Sequence, residues 1–222
     1  MKYTLSKVVP WGRNYNEYVK MFMLSDEECN LKIASFGDGP ASFNCDSNGN
    51  VISFDPIYNY SKEEIEKRIL ETKDEVIKQT ELNRKNFIWN EIKNTGELET
   101  LRMDAMKKFL EDFEKGKKEG RYIPFELPKK LPFNDKYFDI GLSSHFLLLY
   151  SELGLKFHFD AIDEILKVCK EVRIFPILDL DANKSALLEP IINRYKEKYE
   201  VSIRDTTYEF QKEGNKLLVI KE

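Results

Sequence analysis

The chain has 222 residues, of which 41% are hydrophobic and 13% aromatic, and its 35 basic and 39 acidic side chains give a formal net charge of −4. This composition predicts a folded, soluble protein with a substantial core, and the length suits one elaborated α/β domain. The acidic balance disfavours broad binding to nucleic acid, because contact with the phosphate backbone requires a basic surface.

Signals for export, membrane insertion and disulfide bonding are weak in this sequence. No apolar run reaches the roughly 18 residues of a membrane helix, and residues 1–4 lack the pattern of a signal peptide. The three cysteines, Cys29, Cys45 and Cys169, are odd in number and far apart, which disfavours a disulfide framework or a zinc knuckle. We therefore expect a cytoplasmic protein with no membrane partner and no bound metal.

The first half of the chain predicts two buried strands followed by two long helices. In chain order, the predicted elements are a helix over 15–24, a strand over 31–36, a tight turn over 37–40 and a second strand over 51–54. Ser61 and Glu64 then form a capping-box pattern that begins the clearest helix. Charges stay nearly balanced from there to residue 119, with a break at 94–96, so we predict a helical insertion over 61–120 with solvated faces.

The second half alternates between strands and helices. The predicted elements are an extended segment over 121–125, a strand over 137–143, a helix over 157–170, a strand over 172–178, a helix over 187–199 and a hairpin of 200–210 with 216–220. This alternation, closed by a hairpin, predicts a mostly parallel sheet with one antiparallel strand near its end.

Two features at the ends of the first strands indicate a nucleotide-like ligand. Gly37 and Gly39 form a turn that lets a ligand approach the backbone, although a purely structural turn is an equal alternative. A dinucleotide fingerprint requires glycine at position 42, where Ser42 stands, so a nicotinamide or flavin enzyme is disfavoured. Asp55 closes the second strand where a carboxylate can hold both ribose hydroxyls, the alternative being a capping aspartate before Pro56. Together they suggest an adenosine-containing ligand.

Three segments carry a resemblance to one known family. They are Lys32–Ala41 (KIASFGDGPA), Val51–Asp55 (VISFD) and Leu131–Ser144 (LPFNDKYFDIGLSS), supported by a helix at 161–168 and the final hairpin. In these parts, within residues 30–60 and 120–222, the sequence resembles the class I S-adenosylmethionine-dependent methyltransferases. We therefore expect a Rossmann-like, seven-stranded, mostly parallel sheet with a C-terminal antiparallel hairpin. The expected single domain, 1–222, includes an N-terminal helical cap (1–30) and the insertion after the second strand.

The resemblance also implies site residues, carried over position by position. They are Gly37, Asp38 and Gly39 at the methionine and ribose, Asp55 at the ribose hydroxyls, Pro56 and Ile57 at the adenine, Glu126 or Leu127 near the adenine amino group, and Ser143 and Ser144 facing the methyl group. His145 follows and is the candidate base if the acceptor must lose a proton, with a hydrogen-bonded structural histidine as the alternative.

The sequence departs from the family pattern at three places. Ser35 stands where the family usually has an acid that helps to hold the methionine ammonium group, and Ala41 replaces the third glycine. Lys170-Glu171 replaces the usual pair of glycines before the fifth strand. The serine leaves three outcomes open, namely weaker cofactor binding, a compensating contact from Asp38, or loss of activity.

A dense aromatic cluster near the N-terminus completes the candidate site. Trp11, Arg13 and Tyr18 suit a lid over the cofactor or substrate, with Arg13 placed to meet an anionic group, whereas a simple packing helix is the alternative. We predict methyl transfer from S-adenosylmethionine to an unidentified acceptor, expected to be a small molecule. One alternative is a catalytically inactive binding or scaffold protein, and another is an aminopropyl transferase or other nucleotide-using enzyme of the same fold.

Overall fold

The computed structural model describes residues 9–222, so residues 1–8, including the segment 1–4 and the start of the expected cap, lie outside the described residues. Within that range the strands are β1 (Ile33–Phe36), β2 (Val51–Phe54), β3 (Tyr122–Ile123), β4 (Phe138–Ser144), β5 (Cys169–Phe175), β6 (Glu200–Asp205) and β7 (Lys216–Lys221). They form one sheet in the order β3-β2-β1-β4-β5-β7-β6, in which β7 runs antiparallel to both neighbours and the other pairs are parallel. The predicted fold class, an α/β protein with a Rossmann-like, seven-stranded, mostly parallel sheet and a C-terminal antiparallel hairpin, is confirmed.

Helices pack on the sheet, and two long helices form the insertion between β2 and β3. They are α1 (Tyr15–Phe22), α2 (Lys62–Leu82), α3 (Thr95–Lys118), α4 (Gly154–Val168) and α5 (Leu188–Tyr195). The capping box predicted at Ser61 and Glu64 is present, and an equivalent box at Asn14 and Glu17 begins α1. No helix in the described part of the chain is both long enough and apolar enough to cross a membrane.

The sheet separates two apolar layers because neighbouring strand residues point to opposite faces. Ala34 joins the core formed with α4 and α5, whereas Ile33 joins the core beneath α1. The register aligns Phe36 with Phe54 of β2 and with Ser143 of β4. The segments that follow β1, β2 and β4 therefore begin at the same edge of the sheet, where parallel α/β proteins bind their ligands.

The insertion is attached through one buried face rather than solvated all round. Phe109 and Phe113 of α3 pack against Tyr58 and Tyr122, with ring centroids 5.2–5.9 Å apart. Arg102 of the same helix is only 1% exposed. The charged residues occupy the outer faces of the insertion. The charge pattern therefore predicts the solvated faces correctly but does not predict the buried face.

Some predicted boundaries were wrong. The helix expected over 157–170 spans Gly154–Val168, and Cys169 begins β5 because its backbone is already extended. The strand expected to reach Leu178 ends at Phe175, because Pro176 has no N–H to donate to a neighbouring strand.

Candidate functional site

The turn after β1 presents backbone to a cavity at the edge of the sheet. Gly37 and Gly39 have φ angles of +68° and +54°, a region that side chains disfavour. A Cβ at Gly37 would lie 2.8 Å from the side chain of Phe146, whereas a Cβ at Gly39 would meet no heavy atom within 4 Å. The open approach to the backbone is therefore at Gly39, and the aromatic ring covers Gly37.

Asp55 connects this turn to the end of β2. Its Oδ2 accepts a hydrogen bond from the Gly39 N–H at 2.9 Å, and its Oδ1 accepts one from the Ile57 N–H at 2.8 Å. Burial, together with the charge of Asp38, raises the pKa of Asp55 to about 6 although both N–H donors oppose this shift. The capping role considered from the sequence is present, and each oxygen retains a lone pair for a ligand hydroxyl.

Asp38 lies beneath the turn as a buried carboxylate held by hydroxyl groups. Ser35 and Ser53 donate to its Oδ1 and Oδ2, each at 2.5 Å, and the hydroxyl of Tyr18 also donates to Oδ1. Burial raises the pKa of this carboxyl, while the three donors favour the ionised form. Ser35 thus does not leave the end of β1 without an acid, because a carboxylate lies three residues further along the chain.

A row of hydrogen-bonding side chains runs from this carboxylate to His145. The Ser144 side chain hydrogen-bonds the hydroxyl of Tyr18 and lowers its pKa, although burial and Asp38 keep that pKa well above its usual value. Ser144 Oγ also lies 2.9 Å from Nδ1 of His145. Burial, then the charges of Arg13 and Arg102, lower the pKa of His145 well below its usual value. The imidazole is therefore neutral at pH 7.

These groups face one cavity of about 1470 Å³. Among its lining residues are the predicted Trp11, Arg13, Tyr18, Gly37, Asp38, Gly39, Asp55, Pro56, Ile57, Glu126, Leu127, Ser144 and His145. Ser143 is fully buried instead, and its Oγ accepts a hydrogen bond from the Leu147 N–H at 3.3 Å. Proximity alone does not test which of these residues bind a cofactor, so their individual roles stay predictions.

The segment before α1 lies directly on the glycine turn. A Cβ at Gly12 would overlap the carbonyl oxygen of Pro40, and Ser42 donates its N–H to the Arg13 carbonyl at 3.0 Å. This close backbone contact fixes Trp11 and Arg13 at the cavity. The packing role of the N-terminal segment is thus observed, and its predicted role as a lid stays a prediction.

One residue that lines the cavity, Arg102, was missed in the sequence, and it lies in a buried polar group with Glu17 and Tyr208. Arg102 Nη1 lies 2.7 and 2.6 Å from the two carboxylate oxygens of Glu17, and the Tyr208 hydroxyl donates to Glu17 Oε1 at 3.0 Å. The group joins α1, α3 and the segment between β6 and β7. One signal was available, since Arg102 lies on the same helix face as Leu98 and Phe109, where apolar residues are expected.

Comparisons with known proteins give one strong relative. No family model matches the chain. The chain is 41% identical over 227 residues to the uncharacterized protein MJ0045 of Methanocaldococcus jannaschii, and the match covers 100% of both.

Two solved structures give weaker likenesses. A SAM-dependent methyltransferase from Aquifex aeolicus is 12% identical with a TM-score of 0.40, covering 92% of this chain and 90% of that chain. The methyltransferase domain of bacterial CtHen1 is 12% identical with a TM-score of 0.43, covering 88% of this chain and 93% of that chain. Neither likeness carries an argument about activity. The full-length identity, in contrast, shows that the chain belongs to the same protein family as MJ0045 of M. jannaschii.

Proposed function

We propose that the protein transfers the methyl group of S-adenosylmethionine to a small-molecule acceptor. The observation that carries the proposal is the pairing of Gly39 and Asp55 across the ends of β1 and β2. The half-buried Gly39, with no heavy atom within 4 Å of the place of a Cβ, lies there beside a carboxylate whose oxygens still have lone pairs. A ribose diol requires both features within reach of each other.

The neighbouring residues fit the rest of the cofactor. Pro56, Ile57 and Leu127 line the cavity next to Asp55 and offer apolar contacts to a purine ring. Asp38 supplies negative charge below the turn, where an ammonium and a sulfonium group favour an acid. The substitution of the usual acid by Ser35 is therefore compatible with binding.

His145 is placed to accept a proton from the acceptor. When bound, the cofactor would supply an electrophilic methyl group, which would pass in line to the nucleophile of the acceptor while S-adenosylhomocysteine leaves. As a base at Nε2, His145 must carry its own proton on Nδ1, and Ser144 Oγ at 2.9 Å can accept that hydrogen bond. Ser144 and Tyr18 then link the imidazole to Asp38, whose negative charge favours the protonated ring.

The test is a calorimetric titration of S-adenosylmethionine and S-adenosylhomocysteine into the wild-type protein and Asp55→Ala. We expect micromolar binding to the wild type and at least a tenfold loss in the variant, since hydrogen bonds to a charged group are among the strong ones. Asp205→Ala is the matched control, because this aspartate lies on the exposed edge strand β6 and pairs with Lys216. Melting curves establish that each variant is folded.

Four results would contradict the proposal. Absence of binding at millimolar ligand, or equal binding by Asp55→Ala, would mean that the glycine turn has only a structural role. Binding without methylated product over a broad panel of acceptors would favour the inactive alternative. Tighter binding of decarboxylated S-adenosylmethionine would favour aminopropyl transfer.

A further inference from the structure

The cavity continues beyond the predicted cofactor site into an inner chamber. We define the inner chamber by Val76, Thr80, Phe87, Leu98 and Phe210, which belong to α2, α3, the segment between these helices and the loop between β6 and β7. Val76, Thr80 and Leu98 line the cavity although they are at most 4% exposed. This part of the cavity therefore reaches between packed elements, and its apolar walls are interrupted by polar side chains of Asn83, Asn86 and Gln211.

Contacts between the insertion and the loop before β7 close this chamber. The Ile88 N–H donates to the Phe210 carbonyl at 2.7 Å, and the Lys212 N–H donates to the Asn86 carbonyl at 3.0 Å. The rings of Phe87 and Phe210 stack with centroids 4.9 Å apart. The whole cavity, at about 1470 Å³, exceeds the roughly 300–1,000 Å³ typical of a site for one small ligand. It has room for a second molecule beside the cofactor.

The buried and partly buried side chains next to this chamber, Arg102, Glu17 and Arg13, carry one excess positive charge. Arg102 is neutralised by Glu17, but Arg13 forms no ion pair with any residue in 9–222. Within residues 9–222, its guanidinium makes one hydrogen bond, from Nη1 to the Trp11 carbonyl at 3.2 Å, and its Nε is buried without a partner. Burial and the charge of Arg102 lower the pKa of Arg13, and the opposing charge of Glu17 does not fully offset them. An anion would compensate this charge.

We propose that the acceptor is a small carboxylic acid whose apolar body fills the inner chamber and whose carboxylate binds Arg13. This inference rests on the proposed function. The uncompensated charge amounts to one unit, which matches a carboxylate rather than a phosphate ester carrying nearly two. Planar guanidinium and carboxylate groups also pair with favourable geometry. A carboxylate at this position would offset the two arginines that act on His145 and make it a stronger base.

Simple acids and their amides test this assignment directly. We would titrate butyrate, hexanoate and octanoate, each against its uncharged amide, with and without S-adenosylhomocysteine. Hexanoate should bind at least about tenfold more tightly than hexanamide. Each added methylene should tighten binding about fourfold, equivalent to about 0.8 kcal/mol, until the chamber is full. Equal affinity of acid and amide, or of butyrate and octanoate, would overturn the proposal, as would tighter binding of hexyl phosphate.

Variants test whether Arg13 binds the carboxylate of the acceptor or instead the carboxylate of the cofactor. Arg13→Gln should abolish the preference for hexanoate and change the affinity for S-adenosylhomocysteine by less than about threefold. Arg194→Gln, which removes the same charge from the surface of α5, should change neither. The proposal would be overturned if Arg13→Gln weakened the binding of S-adenosylhomocysteine as strongly as the binding of hexanoate. If the wild type bound no S-adenosylhomocysteine, the proposed function would fail, and the acid–amide comparison without it would still test Arg13.

Discussion

The buried pair of Glu17 and Arg102 allows a quantitative test of how the insertion is attached. Their side chains are 8% and 1% exposed, and the guanidinium lies 2.6–2.7 Å from both carboxylate oxygens. Glu17→Gln keeps the shape but leaves Arg102 as a buried charge beside Arg13. Breaking a buried ion pair in this way costs about 3–5 kcal/mol. That is a large share of the roughly 5–15 kcal/mol of a typical domain.

Urea unfolding followed by tryptophan fluorescence measures this cost, because Trp11 and Trp89 lie in the cap and the insertion. Glu91→Gln is the matched control, since Glu91 pairs with Lys20 across the same two elements but is 74% exposed. An exposed pair of this kind contributes at most about 1 kcal/mol. Equal effects of the two substitutions would refute the assignment.

A double variant tests the reasoning from the other side. Glu17→Gln with Arg102→Met removes both charges, so the free energy of unfolding should fall by less than the sum of the two single effects. We expect a coupling of about 2–3 kcal/mol, at the upper end for residues in direct contact. Additive effects would show that the two side chains do not stabilise each other, and that the insertion is held mainly by its apolar face.

Further predictions concern the cap, the carboxylate of Asp55 that we propose binds the ribose, and the candidate base. Gly12→Ala should lower stability by about 1–3 kcal/mol and weaken cofactor binding, because its Cβ would overlap Pro40, and melting plus calorimetry would detect both. Binding of S-adenosylhomocysteine to the wild type should weaken as the pH falls through about 6. That pKa lies above the unfolded value of about 3.9, so protonating Asp55 favours folding, and circular dichroism should show that lost binding is not unfolding. His145→Gln should reduce kcat about 10²–10⁴-fold with cofactor affinity unchanged. Equal rates for the wild type and His145→Gln in single-turnover assays would show that His145 is not the base.

The sequence predicts those parts of the fold that depend on local patterns. The alternation of strands and helices, the capping box at Ser61 and the turn at Gly37 all follow from residues close together in the chain, and each is present. Boundaries are less certain because tertiary contacts decide them, as at Cys169, where pairing with Phe138 begins β5 one residue after α4 ends. Short-range periodicity does not contain this information.

The same distinction explains which site residues could be found. Gly39 and Asp55 stand at strand ends, so the topology alone brings them together. Arg102 and Glu17 are 85 positions apart, and their contact depends on how α3 packs against the cap. A charged helix pattern predicts a solvated surface, and only an arginine within the apolar face of α3 indicates otherwise.

This buried pair links the stability of the insertion to the chemistry of the cavity. Glu17 neutralises Arg102 while holding α3 against α1, and it thereby leaves the partly buried Arg13 as the uncompensated cation of this cluster within the described chain. An insertion that only covered the surface would leave the charges around His145 unchanged. Because both arginines lower the pKa of His145, the position of α3 and the strength of the candidate base depend on each other. The insertion is therefore better understood as one wall of the candidate site than as an addition to the sheet.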